Sequence, residues 1–180
     1  MEKWLFNPFT YIAGWKALLI GFAFIAITSV VGFFSQIHFD GPLNLHQGLD
    51  LQLYMFLLEN IIAWLSMVII FYPFGLILSK SSIRLIDVAG TIALARAPIA
   101  LTSLGLLPWF KLMTPTSMYY MPFNFLYTLP LIWIVVLYYN AYSISCNIKG
   151  FKLIASFIAG VCIAEIISKV TVIQLYKLIL

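Results

Sequence analysis

The chain has 180 residues, of which 63% are hydrophobic and 9% charged, with a mean hydropathy of +1.05. A soluble domain is roughly 45–50% apolar and about 25% charged, so this little polar surface cannot cover a water-exposed globule, and the chain reads as one integral membrane domain with no room for a soluble one. The net charge of +4 comes from basic residues scattered beside apolar tracts; that pattern is a topology signal and excludes nucleic acid as a partner.

The first sixteen residues, MEKWLFNPFTYIAGWK, are aromatic-rich and broken by Asn7-Pro8. Amphipathic rings settle at the membrane–water boundary, so this segment is expected to lie flat there as a short interfacial helix. The apolar run behind it continues past the length of a signal-peptide core with no A-x-A cleavage site, and is expected to be retained.

A spanning helix needs about 20 predominantly apolar residues. Five tracts qualify: 17–37; 53–78, which carries Glu59, Asn60 and Pro73; 86–109, with Arg96 and Pro98 inside it; 123–145, interrupted by Pro130; and 151–175, with Glu165 and Lys169 in its outer half. Such long continuous runs do not alternate as barrel strands do. The expected fold is therefore an all-α integral membrane bundle of five transmembrane helices. With the N-terminus inside, Lys3, Lys16, Lys80, Arg84, Arg96, Lys149 and Lys152 lie on or near the cytoplasmic side, and Lys111, Lys169 and Lys177 fall outside. This excess favours a cytoplasmic N-terminus and an outer C-terminus.

Helices in lipid associate through close packing of small residues. Ser156, Gly160, Ala164 and Ser168 recur at four-residue spacing in the fifth tract, as do Ala13, Ala17 and Gly21 before and within the first and Ala89, Ala93 and Ala97 in the third. That spacing puts each set on one helix face. Such faces serve either internal packing or a partner helix, and the sequence leaves both open. Cys146 and Cys162 form no CxxC and read as small buried hydrophobes.

Two constellations could carry chemistry. The stretch HFDGPLNLHQGLD, residues 38–50, joins the first two tracts and holds both histidines. His38, Asp40, His46 and Asp50 offer N and O ligands to a divalent metal. Their spacing matches no zinc signature, and Asp40-Gly41-Pro42 is an ordinary turn, with Asp50 placed to cap the next helix. The expectation is a turn, with no bound metal or other cofactor. The second constellation is Glu59, Arg96, Glu165 and Lys169. An ionisable residue inside a bilayer is a functional candidate by default. Glu59 falls roughly 9 Å below the outer boundary and Arg96 roughly 15 Å from the inner one, a height difference of roughly 6 Å that an arginine can bridge. Alternatively Glu59 is interfacial and Arg96 snorkels to the cytoplasmic surface.

The chain resembles a small, bacterial-type Yip-domain protein, a family of compact five-helix membrane proteins. The resemblance rests on GWKALLIG before the first tract and on GTIALARAPIALTSLGLLP, where an amphipathic stretch leads into a proline. It implies that Arg96 is interfacial and that Pro98 opens the third span. FDGP follows the first tract here, so it is not equated with the acidic-aromatic-Gly-Pro segment that precedes that helix in eukaryotic members, and a role in GTPase-linked traffic is not carried over. No nucleophile triad, phosphate loop or haem ligand pair is present. The functional expectation is a non-enzymatic scaffold or adaptor of the inner membrane. It would bind lipids, a membrane-protein partner or a second copy of itself, with Lys80, Arg84 and Arg96 as contacts to acidic groups. The rivals are a transporter or its accessory subunit built on Glu59, Arg96 and Glu165, and a metal-dependent enzyme built on His38, Asp40, His46 and Asp50.

Overall fold

The computed structural model describes residues 5–47, 51–101, 104 and 120–179. A 3₁₀ turn at Pro8–Thr10 leads into α1 (Gly14–Ser35), a two-residue hairpin of β1 (Ile37–His38) and β2 (His46–Gln47), α2 (Leu53–Leu78), α3 (Leu85–Ala95), α4 (Tyr120–Cys146) and α5 (Gly150–Ile179). The chain is mostly helical. Among the described residues four helices, α1, α2, α5 and the segment Thr128–Cys146 of α4, are long and apolar enough to cross a membrane, which is the character of a multi-pass membrane protein. Their outward faces are apolar too: Leu19 is 69% exposed, Ile77 77% and Phe151 83%. A water-soluble surface seldom carries apolar patches of that extent.

The third expected tract departs from a continuous span. α3 stops at Ala95, Arg96 is a turn residue, and helix resumes at residue 97. Pro98 is the cause. It lacks an N–H, and its ring collides with the carbonyl four residues back, that of Leu94. The turn is closed instead by short-range bonds, Arg96 N–H to Ala93 O (3.2 Å) and Ile99 N–H to Arg96 O (3.0 Å). Beyond residue 101 the 86–109 tract, apart from Leu104, lies outside the described residues.

The small-residue faces are used within the chain. α1 packs most extensively on α3, and α2 on α5. Gly21 lies against the backbone of Ala93 and Leu94, and Gly90 against the Gly14 carbonyl and Ala17. On α5, Ser156, Gly160, Ala164 and Ser168 are buried, with Gly160 against the Phe71 ring of α2. Phe71 itself stacks on Tyr142 of α4 (4.4 Å between ring centroids) and Phe157 of α5 (5.9 Å), joining three helices. Cys146 is buried beside Gly75, while Cys162 is exposed on an outward face, not buried as the sequence suggested. The N-terminal segment, expected as an interfacial helix, holds a 3₁₀ turn tied to α4: the Leu5 and Phe6 carbonyls accept from Trp133 Nε1 and Asn140 Nδ2 (2.8 Å each), and Phe9 is buried.

Candidate functional site

The stretch that read as a turn is a hairpin tucked into the end of the bundle. α1 ends at Gln36 in the left-handed conformation (φ 57°), which reverses the chain into β1. The register pairs Ile37 with Gln47 and His38 with His46. Directly opposed side chains in an antiparallel pair meet on one face, and the two imidazoles stack 5.3 Å apart. Ile37, Phe39, Gly41 and Pro42 are buried. The connection between β1 and β2 is therefore a packed element, unlike an ordinary surface loop.

Polar ties from two helices hold it there. On α2, Glu59 is fully buried; its Oε1 lies 2.8 Å from His38 Nδ1 and accepts the Tyr176 hydroxyl of α5. Tyr176 Oη is also 3.3 Å from His38 Nδ1, and Phe56 stacks beneath the imidazole at 4.5 Å. The other oxygen, Glu59 Oε2, is buried with no hydrogen-bond partner among the described residues. On α5, Ser168 Oγ donates to the Asp40 carbonyl (2.5 Å), and Glu165 Oε2 accepts the Leu43 N–H (3.1 Å). Within the loop, Asn44 Nδ2 donates to Asp40 Oδ1 (2.6 Å).

Consecutive helical residues point about 100° apart, and this divides the polar groups of α2 into two networks. Glu59 faces the hairpin. Asn60 faces α1 and α3: its Nδ2 donates to Ser29 Oγ (3.3 Å), and its Oδ1 accepts Arg96 Nη2 (2.9 Å). Arg96 Nη1 donates to the Tyr138 hydroxyl of α4 (3.2 Å). Arg96 is 1% exposed. It therefore leaves the set of surface contacts that the sequence suggested: with α3 packed along α1, its side chain has helices around it and no route to snorkel. Among the described residues it has no carboxylate within 4.0 Å.

Direct contacts thus do not join the four intramembrane candidates into one cluster, although the charge of Arg96 acts on Glu165 through space. Glu59 belongs to the hairpin tie and Arg96 to the Asn60–Tyr138 network. Glu165 and Lys169 form a partly exposed pair on α5 (3.9 Å), of a kind worth at most about 1 kcal/mol. Lys80 and Arg84 are exposed as expected. Arg84 makes a two-pronged contact with Asp87 (2.7 and 3.0 Å), which raises the guanidinium pKa above its ordinary value. Of the residues offered as metal ligands, Asp50 lies outside the described residues. His46 Nδ1 is 3.5 Å from Asp40 Oδ1. The stacked planes of His38 and His46, 18° apart, aim their in-plane lone pairs along near-parallel sheets and not at a common point. Among the described residues no three metal-ligating side chains gather.

Sequence reasoning did not single out Tyr176, Tyr138, Ser29 or Asn60 as site residues. The available signal was that a buried tyrosine hydroxyl or amide in an apolar helix needs a partner, and Glu59-Asn60 and Arg96 are the groups able to supply one.

Gly41 shows how tightly the hairpin is seated. A methyl group there would overlap the Glu165 carboxyl group. Gly41→Ala is expected to push Glu165 off the Leu43 N–H and to cost about 1–3 kcal/mol. Unfolding in mixed micelles checks this, and a double variant with Glu165→Ala should recover part of the loss.

Comparison with family models, with curated proteins and with solved structures returns no match.

Proposed function

We propose that the chain is a non-enzymatic, five-span scaffold or adaptor of a bacterial-type inner membrane, with its N-terminus cytoplasmic and its C-terminus outside. α3 alone rises about 16 Å, too little for a core of about 30 Å, and the helix that resumes at residue 97 is its natural continuation into the remaining span. Lys16, Lys80, Arg84, Lys149 and Lys152 are exposed around the end where α1, α3 and α5 begin, and a basic end belongs in the cytoplasm. The resemblance to Yip-domain proteins supports the same architecture.

The observation that carries the scaffold reading is how the ionisable groups are used. His38, Glu59, Glu165 and the Asp40 backbone are engaged in seating the hairpin on the bundle. That use builds one fixed outer face and favours a binding role over a water-filled path. The small-residue seams are occupied by the chain's own helices, so partner contacts fall to the outward apolar faces and the loop around Lys80 and Arg84. The test places photo-crosslinking side chains at positions 80, 84 and 166 in native membranes, with buried position 93 as control. A discrete adduct mass is expected from the outer positions and none from position 93. No adduct at any outer position removes the reading.

A transport role is the second reading, favoured by the orphaned Glu59 Oε2 and by a buried arginine that, among the described residues, makes no direct ion pair. It requires proton or cation flux in proteoliposomes that Glu59→Gln abolishes. The scaffold reading expects no flux above that of empty vesicles.

A further inference from the structure

We propose that the groove between the end of α2 and the start of α5 holds one anionic phospholipid, its acyl chain in the groove and its phosphate at Lys80 and Lys152. The groove is shallow and open along one side, has a volume of about 310 Å³, and is lined by Phe74, Ile77 and Leu78 of α2 and by Ser156 and Ala159 of α5. That volume lies at the lower end of the range of small-ligand sites, about 300–1,000 Å³. The lining offers an occupant no hydrogen bond. Its one polar side chain, Ser156, already donates to the Lys152 carbonyl (2.6 Å) and accepts from the Tyr142 hydroxyl (3.1 Å). Whatever fills the groove is therefore apolar along its length.

Exposed lysines lie close in sequence to both sides of the groove. Lys152 stands one helical turn before Ser156 on the same face of α5. Lys80 follows two residues after Leu78, where α2 has ended. Both lysines belong to the same end of the bundle, where Asn147 Nδ2, in the α4–α5 turn, donates to Ser81 Oγ (2.8 Å) and ties the two loops together. Lys149 lies in the same turn. Asp87 is engaged with Arg84, and among the described residues Lys80, Lys149 and Lys152 have no acidic partner within 4.0 Å. An apolar slot with uncompensated ammonium groups at its headgroup end matches an acyl chain joined to a phosphate; a partner's apolar helix would leave those charges unmet. The proposal rests on the membrane reading, and stands or falls independently of the scaffold role.

The experiment is native mass spectrometry of the purified chain equilibrated in micelles with equimolar phosphatidylglycerol and phosphatidylcholine of identical acyl chains. One lipid per chain is expected, with phosphatidylglycerol favoured roughly tenfold. In Lys80→Gln/Lys152→Gln the ratio should fall to within about twofold of unity, lipid still being retained. Ala159→Trp, at an exposed position that faces the groove, should lower retention of both lipids while far-UV circular dichroism stays unchanged. Equal retention of the two lipids by the native chain overturns the proposal, as does a preference that survives the double substitution. So does a lipid-free dimer that Ala159→Trp dissociates, which would make a second copy the occupant. Crosslinking at positions 84 and 166, away from the groove, reports on the scaffold role separately.

Discussion

Replacing His38 by alanine is expected to destabilise the folded protein by about 3–5 kcal/mol, because it strips a fully buried carboxyl group of one of its two partners. His38 and Glu59 are 1% and 0% exposed, and they lie 2.8 Å apart beneath the hairpin. The magnitude discriminates between two states of the pair. Removing one member of a buried ion pair leaves an uncompensated charge and costs several kcal/mol, whereas a neutral interhelical hydrogen bond in a membrane protein averages about 0.6 and reaches about 1.7 kcal/mol. Unfolding by a denaturing detergent, followed by tryptophan emission, gives the value. The double variant His38→Ala/Glu59→Ala should cost less than the sum of the single losses, since neither group is then stranded. His46→Ala supplies the comparison: its side chain is 42% exposed, and losing a stacked cross-strand contact and a partly exposed contact with Asp40 should cost about 1 kcal/mol or less. If His38→Ala is no worse than His46→Ala, the hairpin is not held by Glu59.

The contrast between these two histidines marks where the sequence is legible. Long apolar runs report helices directly because a bilayer core accepts little else. The expected tracts 17–37, 53–78, 123–145 and 151–175 accordingly match α1, α2, α4 and α5 to within a few residues. The four-residue ladders of small side chains are legible for the same reason, as the places where backbones approach. What they approach is not written in the spacing, and only the fold pairs the ladder through Ala17 and Gly21 with the one through Ala89 and Ala93. The hairpin defeated composition. Asp, Gly, Pro and His in a short connection read as solvated turn residues, yet their polar groups are answered by Glu59, Glu165, Ser168 and Tyr176 from elements 21 to 138 positions away. Arg96 failed for a related reason. Pro98 announces a break in the helix, but whether the arginine before it points to headgroups or inward depends on the lateral packing of α3, which no local pattern encodes.

That lateral packing is where the other large effect is expected. Gly21→Ala should cost about 3 kcal/mol, near the upper end for a single added methyl group, and Gly21→Ile should prevent the native fold from forming. A Cβ at Gly21 would sit 2.5 Å from both the carbonyl carbon and the Cβ of Ala93, and 2.6 Å from the amide nitrogen of Leu94. Two of those three atoms are backbone, so no rotamer change relieves the overlap and α3 must move away from α1. Gly160→Ala is the internal control. Its added methyl meets the ring of Phe71, a side chain that can yield slightly between Tyr142 and Phe157, so a smaller loss is expected from a substitution that is identical on paper. The same denaturation assay ranks the two, and equal costs would show that the α1–α3 approach is not limited by backbone. The displacement has a second consequence that stability alone does not report. Arg96 is carried at the C-terminal end of α3, so moving α3 lengthens the 2.9 Å bond from its guanidinium to Asn60. Substituting Asn60→Leu should therefore cost less in the Gly21→Ala background than in the native chain, because the bond it removes is already weakened. Strict additivity of the two changes would mean that the glycine seam and the buried arginine are independent features of the bundle.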